Sequence, residues 1–376
     1  MRVRAGFGTL VVVCLLAGAA ASPPSAARVG TTTAAAPASA SQRATPTFVW
    51  TGGSAVGSGD GRVSSAGNWA GGVAPAAGQR VRLVFPALDC VAEGVCEQVV
   101  NDVPDLVVES LKVTTPRRTP VMYWYPDGYA LTGLGLRLVG PLVSTGERNS
   151  EAFVPGLGLW LPLDLGQRAR RWRVSDAPVY VGDIVGKALT VRTRRGGGVN
   201  VQRSIATDRY LEHGNGSAEV FGGSVNTRTR GQVTYRRTDV NLIDARLGSL
   251  STDRVRLTLT SAGEPNRALG PVRLDDRTVI EMQAATAAHP LLKAAGPLDL
   301  GGVRLKGSVD CTDAEKGEPF TVLRGTRLLG RLSDAQGRPV PDGAILANLT
   351  TYDWCDHVVR VGYTRRSVTF TLLDAP

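Results

Sequence analysis

Leucine occupies every second position from Leu157 to Leu165, with Gly158, Trp160, Pro162 and Asp164 between. A period of two marks a strand with one buried face, whereas a helix would scatter the same leucines around its circumference. Shorter alternations follow within residues 156–193: Trp172 with Val174, Val179 with Val181, and Leu189 with Val191. Turn-prone glycines punctuate them, at Gly182, Gly186, Gly196, Gly197 and Gly198. Strand and turn at such short intervals predict an all-β, turn-rich chain. The alternation by itself fits a parallel β-solenoid or a β-sandwich.

The chain has 376 residues, 43% of them hydrophobic, which is enough for a substantial core. Its formal net charge is +10, and only Lys112, Lys187, Lys293, Lys306 and Lys316 are lysines. Attraction to polyanions is one reading of so much arginine. The arginines are spread along the chain rather than gathered in blocks, which favours the plainer reading, the codon bias of a GC-rich genome.

Residues 1–21 read as a secretory signal. Arg2 and Arg4 give the positive end, residues 10–16 the apolar core, and Ala19 and Ala21 an A-x-A cleavage site. The apolar run is too short to span a bilayer, so no transmembrane segment is expected after cleavage. Residues 22–47, rich in Ala, Ser, Thr and Pro, are expected to be a disordered linker. The expected location is extracellular, including association with the cell wall. In an exported chain the four remaining cysteines, Cys90, Cys96, Cys311 and Cys355, imply disulfides, and the expected pairs are Cys90–Cys96 and Cys311–Cys355. His213, His289 and His357 have no CxxC company, so neither metal nor cofactor is expected.

A run of ordered motifs narrows the fold. Trp50, Gly52 and Gly53 are followed by Asn68 and Trp69, then Gly72 and Pro75, then the alternation Val81, Leu83, Phe85. Tyr129, Leu131, Gly133, Leu136 and Leu138 come next, then Leu161, Leu163, Gly166, Trp172, Val174, Gly182, Ile184 and Gly186. Leu298, Leu300, Val303 and Leu305 restore the pattern after an Arg-rich, polar middle over residues 196–262, where Val199/Val201, Val233/Tyr235 and Val255/Leu257/Leu259 are the best strands. Phe320, Leu329, Val359, Val361, Tyr363, Val368, Phe370 and Leu372 look like closing hairpins. In this order the motifs resemble the autotransporter-type passenger β-solenoids of the passenger-associated repeat family. The resemblance implies a right-handed, single-stranded parallel β-helix with rungs of about 20–30 residues. It also implies a single domain over 48–376, with a cap at 48–100, rungs at 101–310 and a closing region at 311–376. The chain ends directly after the closing hairpins, without the strands of a C-terminal translocator barrel, so self-translocation is not carried over.

Several groups are candidates for chemistry. Arg168, Arg170, Arg171 and Arg173 form the densest basic run, suited to an anionic cell-wall polymer or other anionic polysaccharide. Tyr123, Trp124 and Tyr125 offer an aromatic surface of the kind that stacks on sugar rings. Asp310, Asp313, Glu315 and Glu318 flank Cys311, and Asp353, Asp356 and His357 flank Cys355; they lack the spacing and glycine of a calcium loop. Asp239, Asp244, Arg246, Asp275, Asp276, Arg277 and Glu281 are the residue types that line a β-helix polysaccharide lyase or glycoside hydrolase. Adjacent residues in a strand face opposite ways, so Asp275 and Asp276 cannot share one groove from a regular strand. No G-x-S-x-G, phosphate-binding loop or H-E-x-x-H is present. No residue is assigned as catalytic, and no nucleic acid partner is expected. The leading expectation is a secreted, non-enzymatic structural or adhesive module. A β-helix polysaccharide enzyme and a binder of anionic wall polymers are its rivals.

Overall fold

The computed structural model describes residues 44–52, 60–87, 97–115, 128–146, 156–228, 230–285, 287–309, 314–334, 336–346, 349–351 and 357–374. The signal-like segment, most of the linker, all four expected disulfide cysteines and the aromatic cluster Tyr123, Trp124 and Tyr125 lie outside these residues.

Among the described residues, 32 strands join into one hydrogen-bonded sheet, and every strand-to-strand pairing up to the closing region is parallel, with one isolated antiparallel bridge, Trp50 to Trp69, in the cap. The chain coils so that each turn adds one strand to each of three faces. Face A carries Ser217–Phe221, Asp239–Ile243 and Arg256–Thr260. Face B carries Ser224–Val225, Arg246–Leu247, Asn266–Ala268 and Leu292–Ala294. Face C carries Ala169–Ser175, Ala188–Arg194, Arg209–Gly214, Gln232–Arg236 and Ser249–Asp253. Successive register partners on face C are Trp172, Val191, Glu212, Tyr235 and Thr252, which are 19, 21, 23 and 17 residues apart. This is a parallel β-helix, and the parallel ladder excludes the β-sandwich.

The leucine alternation survives with a change of meaning. Leu157, Leu159, Leu161, Leu163 and Leu165 are all buried, and Asp164 is exposed. They do not form one strand. Leu157–Leu159 lies on face A beside Val179, Tyr180 and Val181, and Leu163–Asp164 lies on face B beside Ile184 and Val185. Pro162, which has no N–H to give a ladder, sits in the corner between them. Residues 156–193 therefore span nearly two turns. The Arg-rich middle is as regular as its flanks: strands from Val199–Ala206 to Arg256–Thr260 stack in register on all three faces.

Both ends of the core are covered. Phe48, Trp50 and Phe85 each pack edge to face against Trp69 at one end, with Trp50 and Trp69 ring centroids 4.9 Å apart and the Trp69 indole donating to the Val63 carbonyl at 2.8 Å. At the other end His357–Tyr363 and Ser367–Asp374 form an antiparallel hairpin. Ser367–Asp374 also pairs antiparallel with Pro319–Arg324. Such lids hide apolar surface and free strand edges that would otherwise template aggregation.

Polar residues inside the coil serve its corners. Asn226 accepts from the Thr207 N–H at 2.9 Å and its hydroxyl at 2.8 Å, and donates to the Gln232 carbonyl at 2.9 Å. Asn266 accepts from the Ala245 N–H at 2.9 Å and donates to the Thr260 and Leu291 carbonyls at 3.0 Å. One buried carboxyl is exceptional. Glu212 is fully buried, accepting from the Tyr210 hydroxyl at 2.6 Å and the Val199 N–H at 3.1 Å. Burial outweighs these two donors and lifts its pKa from 4.5 to about 7.

Two outcomes follow for stability. Trp50→Ala is expected to cost about 3–5 kcal/mol, because it opens the aromatic lid; urea unfolding followed by circular dichroism reads this as a lower midpoint. Glu212 keeps its proton in the folded chain at pH values where the unfolded chain has released it. Wild-type stability is thus expected to fall by about 3 kcal/mol as pH rises from 4.5 to 7 and to level off above. Glu212→Gln, with no proton to lose, removes that share of the slope in the same unfolding assay.

Candidate polyanion-binding groove

The outward side chains of face C stack as strictly as the inward ones. Val143, Arg173, Arg192, His213, Arg236 and Asp253 are register partners on six consecutive strands. Neighbouring strands lie about 4.8 Å apart, so three arginines and a histidine form a row along the axis. Two residues further along this strand pair, again facing out, Arg194 stands beside Ser175. Two hollows open along this row. The larger, of about 470 Å³, is lined by Arg192, Arg194, His213, Arg236, Arg237 and Asp253. The smaller, of about 230 Å³, is lined by Arg173, Arg192 and Arg194 with Ser144, Thr145 and Ser175. Arg192 and Arg194 line both, which makes the two hollows one groove.

The corner that borders the groove is also basic. Asp176, Arg195, Arg237 and Arg254 all have positive φ there, between 51° and 64°. Glycine, asparagine or aspartate adopts this region at least cost, and arginine does not share that advantage. Three of the five turns nevertheless keep an arginine at the rim; the other two carry Asp176 and Gly214. Side-chain acceptors hold the backbone there: the Arg254 N–H donates to the Asp275 carboxylate at 3.1 Å, and the Arg195 N–H to the Asn215 side-chain oxygen at 3.3 Å. Tolerated strain at a repeated charged position points to a role for the side chain.

Few carboxylates neutralise the row. Arg236 is 3.8 Å from Asp253, the acid that ends it, while among the described residues Arg173, Arg192, Arg194 and Arg237 have no ion-pair partner. The histidine in the row reports the field. Partial burial, with Arg192 and Arg236 on the flanking strands, lowers the His213 pKa below its ordinary 6.5, so its ring is neutral at pH 7 and can donate or accept a hydrogen bond.

The basic run expected from sequence is divided by the fold. Arg173 lines the groove, and Arg171 is exposed on the same face one column away. Arg168 is in the preceding turn, and Arg170 donates to the Leu165 carbonyl at 2.7 Å. Arg192, Arg194, Arg236 and Arg237 carry no local signal in the sequence, and His213 was weighed there only as a metal ligand. The signal that locates them is their spacing of about one turn of coil, which becomes readable only once the turn lengths are known.

The carboxylates considered for an enzyme do not share a groove. Asp244, at the corner from face A to face B, accepts from the Ala262 and Glu264 N–H groups, and Asp275 is engaged at the opposite edge of face A. Glu281, on the outer side of face A, pairs with Lys306 at 3.0 Å and Arg256 at 3.9 Å; Asp239 lies on the same face beside Arg256. Asp310, Asp313, Asp353 and Asp356 lie outside the described residues. Among the described residues no three His, Cys, Asp or Glu side chains are grouped to hold a metal ion, and no helix is long and apolar enough to cross a membrane.

Fold and site together define the class: a three-faced parallel β-helix with cations ranked along one face. Compared with protein-family models, curated proteins and solved structures, the chain matches none.

The His213 environment is directly measurable. In an NMR pH titration its midpoint is expected below 6.5, and Arg192→Gln or Arg236→Gln is expected to move it upward. An unmoved midpoint in both variants would show that the arginines do not act on it.

Proposed function

We propose that the chain is an exported, non-enzymatic β-solenoid that holds a linear acidic polysaccharide along the face C groove, as an extracellular adhesive or structural module. The observation that carries this reading is the row Arg173, Arg192, His213 and Arg236 on consecutive strands. A polymer laid along the axis meets one cationic or hydrogen-bonding side chain about every 4.8 Å, close to the advance of one sugar in an extended 1,4-linked chain. Guanidinium groups engage carboxylates with two parallel hydrogen bonds, which suits a sugar acid better than a lysine would. Each exposed contact contributes only about 0.2–1 kcal/mol, so useful affinity comes from several acting together. The signal-like residues 1–21 support export, and an aromatic entry cap with an exit hairpin supports the likeness to passenger solenoids.

The test is a titration of wild type and Arg173→Gln/Arg192→Gln/Arg236→Gln with polygalacturonate, neutral dextran and poly(glycerol phosphate). Wild type is expected to bind polygalacturonate at low salt and to lose it at high salt, where charges are screened beyond a few ångströms. The triple variant is expected to bind about tenfold more weakly, from three contacts of this size. Equal binding by the variant, or binding that ignores salt, overturns the groove. Tighter binding of poly(glycerol phosphate) overturns the sugar-acid assignment in favour of a phosphodiester wall polymer.

A further inference from the structure

Face B carries a second row that the function above does not use. Its outward register partners are Asp183, Ser204, Ser224, Arg246, Arg267, Lys293 and Arg324. From Arg246 onward four consecutive strands each present a cation, and all four are exposed. The strands here are short. Asn266–Ala268 and Leu292–Ala294 bury their outer two residues and leave only Arg267 and Lys293 facing out. Arg246–Leu247 likewise leaves only Arg246. The charge on this part of face B is thus unbroken, a ridge one side chain wide.

Like charges directly opposite on neighbouring strands destabilise a sheet, and four occur here in succession. Relief is sparse. Arg267 is 2.6 Å from Glu264, while among the described residues Arg246, Lys293 and Arg324 have no ion-pair partner. The four cations are 21, 26 and 31 residues apart, each interval one turn of the coil. They span about 14 Å at the strand spacing of a sheet. The two rows occupy different faces and different stretches of the axis. Face C is cationic from Arg173 to Arg236 and ends at Asp253; the face B row begins at Arg246, within that same turn.

We propose that Arg246, Arg267, Lys293 and Arg324 form a second binding track for the same class of linear acidic polysaccharide, and that the protein is a rigid bivalent cross-linker of two polymer chains. The class of ligand rests on the face C reading; the second track rests on its own register partners. Two tracks on one stiff body hold two chains at a fixed spacing, and attachment at one raises the local concentration of polymer at the other.

The experiment uses wild type, the face C variant above, Arg246→Gln/Arg267→Gln/Lys293→Gln/Arg324→Gln, and the combination of both. Circular dichroism and the thermal midpoint establish folding; because the face B substitutions relieve repulsion, that variant is expected to melt no lower than wild type. Calorimetry with a short oligogalacturonate is expected to give two sites for wild type, one for each single-face variant and none for the combination. Light scattering with long polygalacturonate is expected to rise with wild type, to fall again in excess polymer, and to stay flat with either single-face variant. Loss of all binding in the face C variant, with cross-linking kept in the face B variant, overturns the second track and leaves the groove intact. One site in the face C variant and none in the face B variant overturns the groove and leaves the second track standing.

Discussion

Parallel, in-register pairing between successive turns is the constraint on which the rest of this molecule depends. Each strand gives its backbone N–H and C=O groups to the turn before and the turn after, so no strand in the stack is stable alone. Register fixes more than hydrogen bonds. It places Val191 over Trp172, Glu212 over Val191 and Tyr235 over Glu212 on the inside. On the outside it places Arg192 over Arg173 and Lys293 over Arg267. A residue type repeated at the interval of one turn becomes a continuous feature of the solid.

Inside the coil, that rule makes most columns apolar and makes exceptions expensive. Asn226 and Asn266 meet the cost by giving both amide ends to corner backbone groups. Glu212 does so only in part. Its two donors do not offset the loss of water, and the carboxyl resists ionisation. The groove therefore lies over a wall whose stability depends on pH, since Glu212 shares its strand with His213, one facing in and the other out.

Outside the coil, stacking like charges works against the fold. A sheet designed for stability alone would alternate signs between strands, as it does where Glu281 stands between Arg256 and Lys306. Face C and face B depart from that arrangement over several turns each. Three arginines at positive φ add local strain beside the groove. The buried core offsets this repulsion and strain, and positive charge is left standing along both rows.

The sequence by itself determined the secondary structure and much of the architecture. Alternation at Leu157 to Leu165 reports one buried face, because side chains of a strand alternate between faces. The tryptophans at 50 and 69 and the hairpin residues from Val359 to Leu372 mark the two ends, because a solenoid must hide its terminal surfaces. Residues 196–262 read as degraded because polar outward residues dilute a pattern carried by single inward ones, yet the ladder runs through them unbroken. The groove was legible only at Arg173. Of its neighbours in the basic run, Arg168 sits in a corner, Arg170 turns to the Leu165 carbonyl, and Arg171 lies one column away on the same face. Arg192 and Arg236, or Arg246 and Arg324, are distant in sequence and look evenly spread. Only the tertiary structure decided that they align, because the length of each turn, 17 residues in one case and 31 in another, is set by loops and corners that carry no period of their own.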